Sequence, residues 1–143
     1  MDDGKLVAHG KFTFEDDDFG LRLLHIRKKV DALIEQYNPN KVLFEDIQLQ
    51  ENVETYKKLA EVYGVVDELL TEKNMPHETI PSVTWKSTLG IKGKDRPTQK
   101  RNAANWVETT FSIKPTQDEC DAICIGSYYF SNQKASVEAF DWS

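Results

Sequence analysis

Cysteine is scarce in this sequence, which has only two among 143 residues, Cys120 and Cys124. They stand four residues apart in a predicted helix, so they would share one face, where a disulfide within one turn has poor geometry. No other ligand stands at a spacing typical of zinc sites. We therefore expect two reduced, buried thiols, and predict neither a disulfide nor a zinc site.

Long apolar runs are also lacking. No segment approaches the roughly 20 apolar residues of a membrane-spanning helix, so no membrane partner is expected. The first ten residues have neither a basic start nor an apolar stretch, which argues against a signal peptide and favours a cytoplasmic location. Repeats and linkers are absent too, so residues 1–143 are predicted to form a single domain. A hydrophobic content of 39% supplies its core.

Positive charge is in short supply overall but concentrated in one place. The formal net charge is −6, which by itself argues against a nucleic-acid partner. The segment 86–101, however, holds six basic residues and one acid, a net +5, and leaves −11 for the rest. The basic residues are Lys86, Lys92, Lys94, Arg96, Lys100 and Arg101. Such a stripe suits an anionic ligand, although a solvated, lysine-rich loop explains it equally well.

Apolar periodicity in the first third predicts a strand, a helix and a second strand. Residues 5–14 look like a strand that follows a turn pair at Asp3 and Gly4. The acidic cluster at 15–18 suits the start of a helix whose apolar face extends to residue 37. Residues 41–47 are apolar on both faces, which is typical of a buried central strand.

The remaining sequence predicts helices around one short strand. A long helix at about 53–73 is followed by a strand at 77–80 and by a helix at 82–89 with Ser82 as N-cap. The next helix is at 97–111, with Pro97 in its first turn. A capping box of Thr116 and Glu119 opens the last helix, which ends near residue 132. Strands that alternate with helices indicate an α/β layered fold.

Glu45 ends the apolar run at 41–47. A carboxylate there is costly unless it is paired, protonated or bound to a metal. Its neighbour Asp46 should point to the opposite face of the strand, and alternation alone leaves open which of the two is functional. An acid that reaches solvent at a strand end is the more ordinary explanation of this pattern.

Asp118 and Asp121 would share one face at the start of the last helix. Acids are common there simply as partners of the helix dipole. The next residues, 122–126, are apolar nearly all round the helix, so we expect Asp121 to open a well-buried helix. Carboxylates on a buried strand end and on a buried helix start could converge on hard cations such as Mg²⁺. Two such ions suit phosphodiester hydrolysis.

The order of these carboxylates resembles that of RuvC-type crossover-junction (Holliday-junction) endonucleases, which belong to the RNase H-like superfamily. The strand that ends at Glu45 is similar to the family strand with the second acid, and Asp118 and Asp121 match the closing aspartate pair. Tyr63 and Gly64 stand in a long helix that is similar to the glycine-containing helix through which two protomers pair.

The basic segment continues the resemblance, which spans about residues 5–133. Lys86, the glycine-containing loop at 90–93 and Lys100 follow the order in the family. The resemblance implies an RNase H-like fold, with a mixed five-stranded sheet flanked by helices. It further implies a homodimer, paired through the helix around Tyr63 and Gly64, that cuts four-way DNA junctions symmetrically.

The resemblance also implies roles for individual residues. Glu45, Asp118 and Asp121 would bind Mg²⁺, or Mn²⁺ as its substitute, and Lys86 and Lys100 would complete the catalytic set beside the scissile phosphate. The predicted DNA contacts are Lys86, Lys92, Lys94, Arg96, Lys100 and Arg101.

The family begins with an apolar strand that ends in the first metal-binding aspartate, and a second strand follows it. In this sequence no apolar strand precedes Asp2 and Asp3, so these two are poor substitutes for that aspartate. We therefore expect an N-terminally truncated domain whose metal site is short of one ligand, and cleavage by this chain is not assured.

Three other hypotheses stay open at this point. The chain could be a junction-binding module without catalytic activity, or another RNase H-like nuclease, since a fold does not fix the substrate. It could also be an α/β interaction protein in which the acids only cap helices.

Overall fold

The computed structural model describes residues 1, 4–47 and 52–141, with side chains described as far as residue 132. Contacts divide the chain into two units, one formed by Met1–Lys11 with Ile80–Ser143 and the other by Phe12–Thr79. The expected turn residues Asp2 and Asp3 lie outside the described residues. No helix in the described part of the chain is long and apolar enough to cross a membrane.

The unit Phe12–Thr79 is a βαβ arrangement preceded by a helix. Its elements are α1 (Phe19–Tyr37), β1 (Val42–Glu45), α2 (Val53–Glu72) and β2 (His77–Ile80), the last residue of which begins the other unit. The two strands pair as a small parallel sheet joined by α2, and α1 packs against α2. Glu45 is the last residue of β1 and belongs to this unit.

The ends of α1 follow from local polar side chains. Asp18 is the N-cap, and its Oδ1 accepts hydrogen bonds from the backbone N–H of Gly20 (2.8 Å) and Leu21 (3.4 Å). Asn38 ends the helix in the left-handed region, with φ of 45°. The predictions of a helix start at the acidic cluster and of an end at residues 38–40 are confirmed.

The unit Met1–Lys11 with Ile80–Ser143 is mainly helical. Its helices are α3 (Ser82–Leu89), α4 (Arg96–Phe111) and α5 (Gln117–Asp141), and both α3 and α4 pack against α5. Its largest fully buried side chains are Trp85, Val107, Cys120 and Cys124. Both cysteines are free, as predicted, and they form part of the packed face of α5. This core holds in place the start of α5, which carries Asp118 and Asp121.

Four predictions about secondary structure were wrong. Over residues 5–14 only Lys5 forms a bridge and most side chains are exposed. A strand needs partners for its backbone groups, and beyond Lys5 no described residue pairs with this segment as a strand. β1 is half-buried rather than fully buried, since it pairs with a single strand in the described chain. Pro81, not Ser82, is the N-cap of α3, and α5 extends past residue 132 to Asp141.

Candidate active site

Asp118 and Asp121 lie in the first turns of α5. The predicted capping box is present there: the N–H of Thr116 donates to Glu119 Oε1 (3.1 Å), and the N–H of Glu119 donates to Thr116 Oγ1 (3.3 Å). Asp118 is exposed and Asp121 is half-buried. The cap fixes the helix start and so holds the two carboxylates one turn apart on one face.

Glu119 lies between the two aspartates in the sequence, but its carboxylate bonds to His9 and to the backbone of Thr116. A hydrogen bond with His9, followed by the bonds with Thr116, lowers the pKa of Glu119 to about 2. Its carboxylate oxygens are already engaged in these contacts. We therefore leave Glu119 out of the candidate metal ligands.

Asp121 is a carboxylate whose charge is only partly compensated. Burial raises its pKa above the ordinary value, and the nearby charge of Asp118 acts in the same direction. Lys86, a hydrogen bond from Gln117 Nε2 (3.2 Å) and Lys100 oppose this rise without cancelling it. The structure therefore brings together Asp118, Asp121, Lys86 and Lys100 in one unit.

Lys86 is held on α3 beside the packed core. Its ammonium group lies 5.4 Å from the ring centroid of Trp85, a side chain that is 1% exposed. Lys86 Nζ also donates to Gln99 Oε1 of α4 over 3.3 Å. The amino group of this lysine is thus placed by an aromatic ring and a neutral amide.

The basic loop, residues 90–95, is tied to α4. Gln99 Nε2 donates to the carbonyl of Gly93 (3.2 Å), and Asn102 Nδ2 donates to the carbonyl of Lys92. A Cβ on Gly93 would lie 2.9 Å from Gln99 N, so only glycine allows this close approach. Asp95 caps α4 by accepting from Thr98 N–H (2.8 Å). The loop is therefore ordered by polar contacts from the first turns of α4.

The basic side chains predicted to contact DNA lie around this loop and are mostly exposed. Lys92, Lys94, Arg96, Lys100 and Arg101 are exposed, while Lys86 is half-buried. No ion pair joins any of the six to an acidic residue among those described. Their charge is thus available to an anionic ligand.

Glu45 lies at the end of β1 in the other unit and is half-buried. Its convergence with Asp118 and Asp121 stays a prediction. Within the described ranges, no group of three or more His, Cys, Asp or Glu side chains is arranged to hold a metal ion. The aspartate pair nevertheless fits such an ion in part, because it offers hard oxygen ligands and Asp121 lacks full compensation.

Three polar residues of this site were missed in the sequence. Gln117 donates to Asp121, Gln99 joins Lys86 to Gly93, and Asn102 holds the loop. The first could have been found, since glutamine at i and aspartate at i+4 is a known helix pair. The other two contacts join α4 to α3 and to a loop, and no periodicity signals them.

The fold is that of known RuvC structures. The structure described as "Thermus thermophilus RuvC structure" matches with a TM-score of 0.72 and 19% identity, over 90% of this chain and 79% of that chain. The structure described as "T. thermophilus RuvC in complex with Holliday junction substrate" matches with a TM-score of 0.70 and 17% identity, over 85% of this chain and 74% of that chain. These matches define an α/β protein with the fold of a RuvC nuclease.

Sequence comparison identifies the family. The family model for crossover junction endodeoxyribonuclease RuvC matches residues 3–127. A curated relative, crossover junction endodeoxyribonuclease RuvC of Brachyspira hyodysenteriae, is 27% identical over 131 residues, which make up 91% of this chain and 81% of the relative. The chain belongs to the RuvC family of crossover junction endodeoxyribonucleases. The resemblance expected from the motif order is confirmed.

Proposed function

We propose that this chain cuts four-way DNA junctions by divalent-metal-dependent phosphodiester hydrolysis. The observation that carries the proposal is the cluster of Asp118, Asp121, Lys86 and Lys100 in one unit of a chain that belongs to the RuvC family. One structure with the same fold is a RuvC in complex with a Holliday junction substrate. A nuclease of this kind works where the DNA is kept, so a cytoplasmic location is part of the proposal.

In this mechanism Asp118 and Asp121, together with Glu45, would hold Mg²⁺ or Mn²⁺ through their carboxylate oxygens. Ions held there would supply an activated water and stabilise charge on the phosphate in the transition state. Half-burial of Asp121 strengthens its attraction for a cation, because water screens its charge less. Lys86 and Lys100 add positive charge where negative charge develops on the phosphate.

The exposed basic residues of the loop and of α4 bind the DNA backbone. Phosphate contacts of this kind position a duplex without reading its sequence. Lys92 and Lys94 lie on the loop that α4 orders, so their charges are presented from a fixed backbone. Binding by these residues should therefore respond to DNA shape and salt more than to base sequence.

The second copy that a symmetric double cut requires would pair through α2. Gly64 is exposed on this helix, and a Cβ built there meets no atom within 4 Å in this chain. On the same helix Leu59 is 39% exposed. The open space at Gly64 leaves room for close approach of a second helix, which supports a homodimer around Tyr63 and Gly64.

The test is incubation of the chain with an end-labelled four-way junction, with and without Mg²⁺, read on native and denaturing gels. Symmetric nicks that require Mg²⁺ are expected. Asp121→Asn should lower the cleavage rate by about 100-fold or more, because it removes a charge that acts on the reacting phosphate through the metal. Glu45→Gln should weaken Mn²⁺ binding in calorimetry.

The matched control is Glu108→Gln, which changes an exposed carboxylate on α4 in the same unit as Asp121. It should cleave like the unmodified chain. Binding of the junction without any nick would overturn the proposed chemistry. Unchanged metal binding by Glu45→Gln would remove Glu45 from the ligand set.

A further inference from the structure

Gln99 stands between the lysine of the active site and the basic loop. Its amide Oε1 accepts from Lys86 Nζ (3.3 Å), and its Nε2 donates to the carbonyl of Gly93 (3.2 Å). An ammonium group only donates and a carbonyl only accepts, so these two neighbours fix which end of the amide faces which partner. Gln99 is half-buried, and a Cβ built on Gly93 would lie 3.0 Å from Gln99 Cγ. Its side chain is therefore held in one orientation.

Lys86 has a stronger potential partner nearby. The charge of Lys86 acts to lower the pKa of Asp121, and contact between the ammonium group and this carboxylate would form a charge-assisted hydrogen bond. In the part of the chain that the structure describes, no ion pair within 4.0 Å joins them, and the hydrogen bond of Lys86 goes to the neutral amide of Gln99 instead. The lysine is thus held beside the carboxylate without pairing with it.

We infer that Gln99 is a positioning residue that holds Lys86 off Asp121, so that the ammonium group is available to a DNA phosphate and the carboxylate to a metal ion. The role assigned to Gln99 rests on the proposed function, whereas the hydrogen bond between Lys86 and Gln99 does not depend on it. A neutral hydrogen bond suits this role, because a phosphate oxygen makes a stronger, charge-assisted bond and displaces the amide when DNA binds. An acidic residue in this place would compete with the phosphate.

Asn102 supplies the matched control. It lies one turn further along α4 and donates to the carbonyl of Lys92, the neighbour of Gly93, but no contact joins it to Lys86 among the described residues. Asn102→Ala therefore loosens the same loop and leaves the lysine alone. Gln99→Met keeps the length of the side chain and removes both hydrogen bonds.

The first experiment needs no activity. The side-chain ammonium signal of Lys86 is recorded by NMR on ¹⁵N-lysine-labelled chain without metal or DNA and assigned with Lys86→Arg. We expect this signal to shift in Gln99→Met, as the lysine moves onto Asp121, and to stay in place in Asn102→Ala. An unshifted signal in Gln99→Met, or the same shift in both variants, would overturn the inference whether or not the chain cuts DNA.

The second experiment separates binding from the chemical step. At saturating junction and Mg²⁺, Gln99→Met should lower the single-turnover cleavage rate by roughly tenfold, while Asn102→Ala should mainly raise the Kd for the junction. Gln99→Glu should also slow cleavage, because a charged acceptor binds the Lys86 ammonium group more strongly and competes with the phosphate for it. In a Lys86→Ala background, Gln99→Met should have no further effect on the rate.

The outcomes distinguish the two proposals. If the unmodified chain makes no nicks, the proposed function fails, and the NMR result alone decides on Gln99. If the unmodified chain cuts and Gln99→Met cuts at the same rate, the inference fails and the proposed function stands. A rate loss in Gln99→Met that persists without Lys86 would show that Gln99 acts only through the loop.

Discussion

At the scale of single residues, burial and hydrogen bonds shift the pKa values of the half-buried side chains Asp121 and His77. Asp121 is raised in pKa by burial, with too little positive charge close by to reverse the effect. His77 is raised in pKa by its hydrogen bond to the carbonyl of Met75 and then by its bond to Asp67. In the first case the environment disfavours the charged form, and in the second it favours it.

We predict that His77 stabilises the fold more at low pH than at high pH. Because the folded pKa lies above the ordinary 6.5, the contribution is complete below the unfolded pKa and is lost as the pH rises through the folded value. Urea unfolding of the unmodified chain and of His77→Gln should differ more at about pH 6 than at about pH 9.

Asp67→Asn is the control for this prediction. It removes one of the two favourable hydrogen-bond partners and leaves the bond to Met75. The pH dependence should therefore become weaker but not vanish. A stability difference that is the same at both pH values would show that His77 acts through packing alone, for instance through its stacking on Phe44, with ring centroids 6.2 Å apart.

At the scale of elements, the helices could be predicted from the sequence, whereas the absence of a strand at residues 5–14 could not. Helix ends are set by local side chains such as Asp18, Asn38 and the pair Thr116–Glu119, which are visible in sequence order. A strand depends on partners elsewhere in the chain, so the alternation at 5–14 could not show that only Lys5 would form a bridge. The same holds for the candidate site. The carboxylates lie at the ends of elements that the sequence predicts, whereas Gln99 of α4 bonds to Lys86 of α3 and to Gly93 of the loop, and sequence order does not reveal these contacts.

We predict opposite effects for two substitutions of Gly64 in α2. Gly64→Ala should stabilise the folded chain by about 1 kcal/mol, because alanine is the better helix former and its Cβ meets no atom within 4 Å. If the protomers pair as proposed, Gly64→Leu should shift the chain from dimer toward monomer, because the larger side chain would occupy the space of the second helix. Sedimentation velocity and thermal unfolding check both.

Each Gly64 variant serves as control for the other. If Gly64→Leu lowers the melting temperature of the monomer as well, the loss of the dimer cannot be assigned to the interface. If Gly64→Leu leaves the sedimentation coefficient of a dimer unchanged, the protomers pair through another surface.

At the scale of the whole molecule, charge is divided unevenly along the chain. The net charge of the chain is −6, although the segment 86–101 has a net charge of +5. This segment comprises the end of α3, the basic loop and the start of α4, all in one unit. The acidic remainder repels a polyanion, so this segment should supply most of the electrostatic attraction for DNA. The affinity for DNA should therefore fall steeply as the salt concentration rises, even though the protein is acidic overall.

We predict that Lys92→Ala with Lys94→Ala lowers the slope of log Kd against log salt concentration by about two, since each phosphate contact contributes about one. The measurement is junction binding without divalent metal over a range of salt concentrations. Lys28→Ala with Lys29→Ala, on exposed positions of α1, removes the same charge from the other unit. An equal loss of slope in both pairs would mean that overall charge, and not the loop, binds the DNA.

The two cysteines of the chain both lie on α5, at 1% and 0% exposure, and the unit Phe12–Thr79 has none. A thiol reagent can therefore modify the protein only when the packing around α5 opens, and the rate of alkylation reports that opening. Cys120 lies next to Asp121, so a cation that binds the aspartate pair of the folded helix should slow the reaction. The chain thus carries its own kinetic label for occupancy of the site, and mass spectrometry can follow it without DNA, dye or engineered residue.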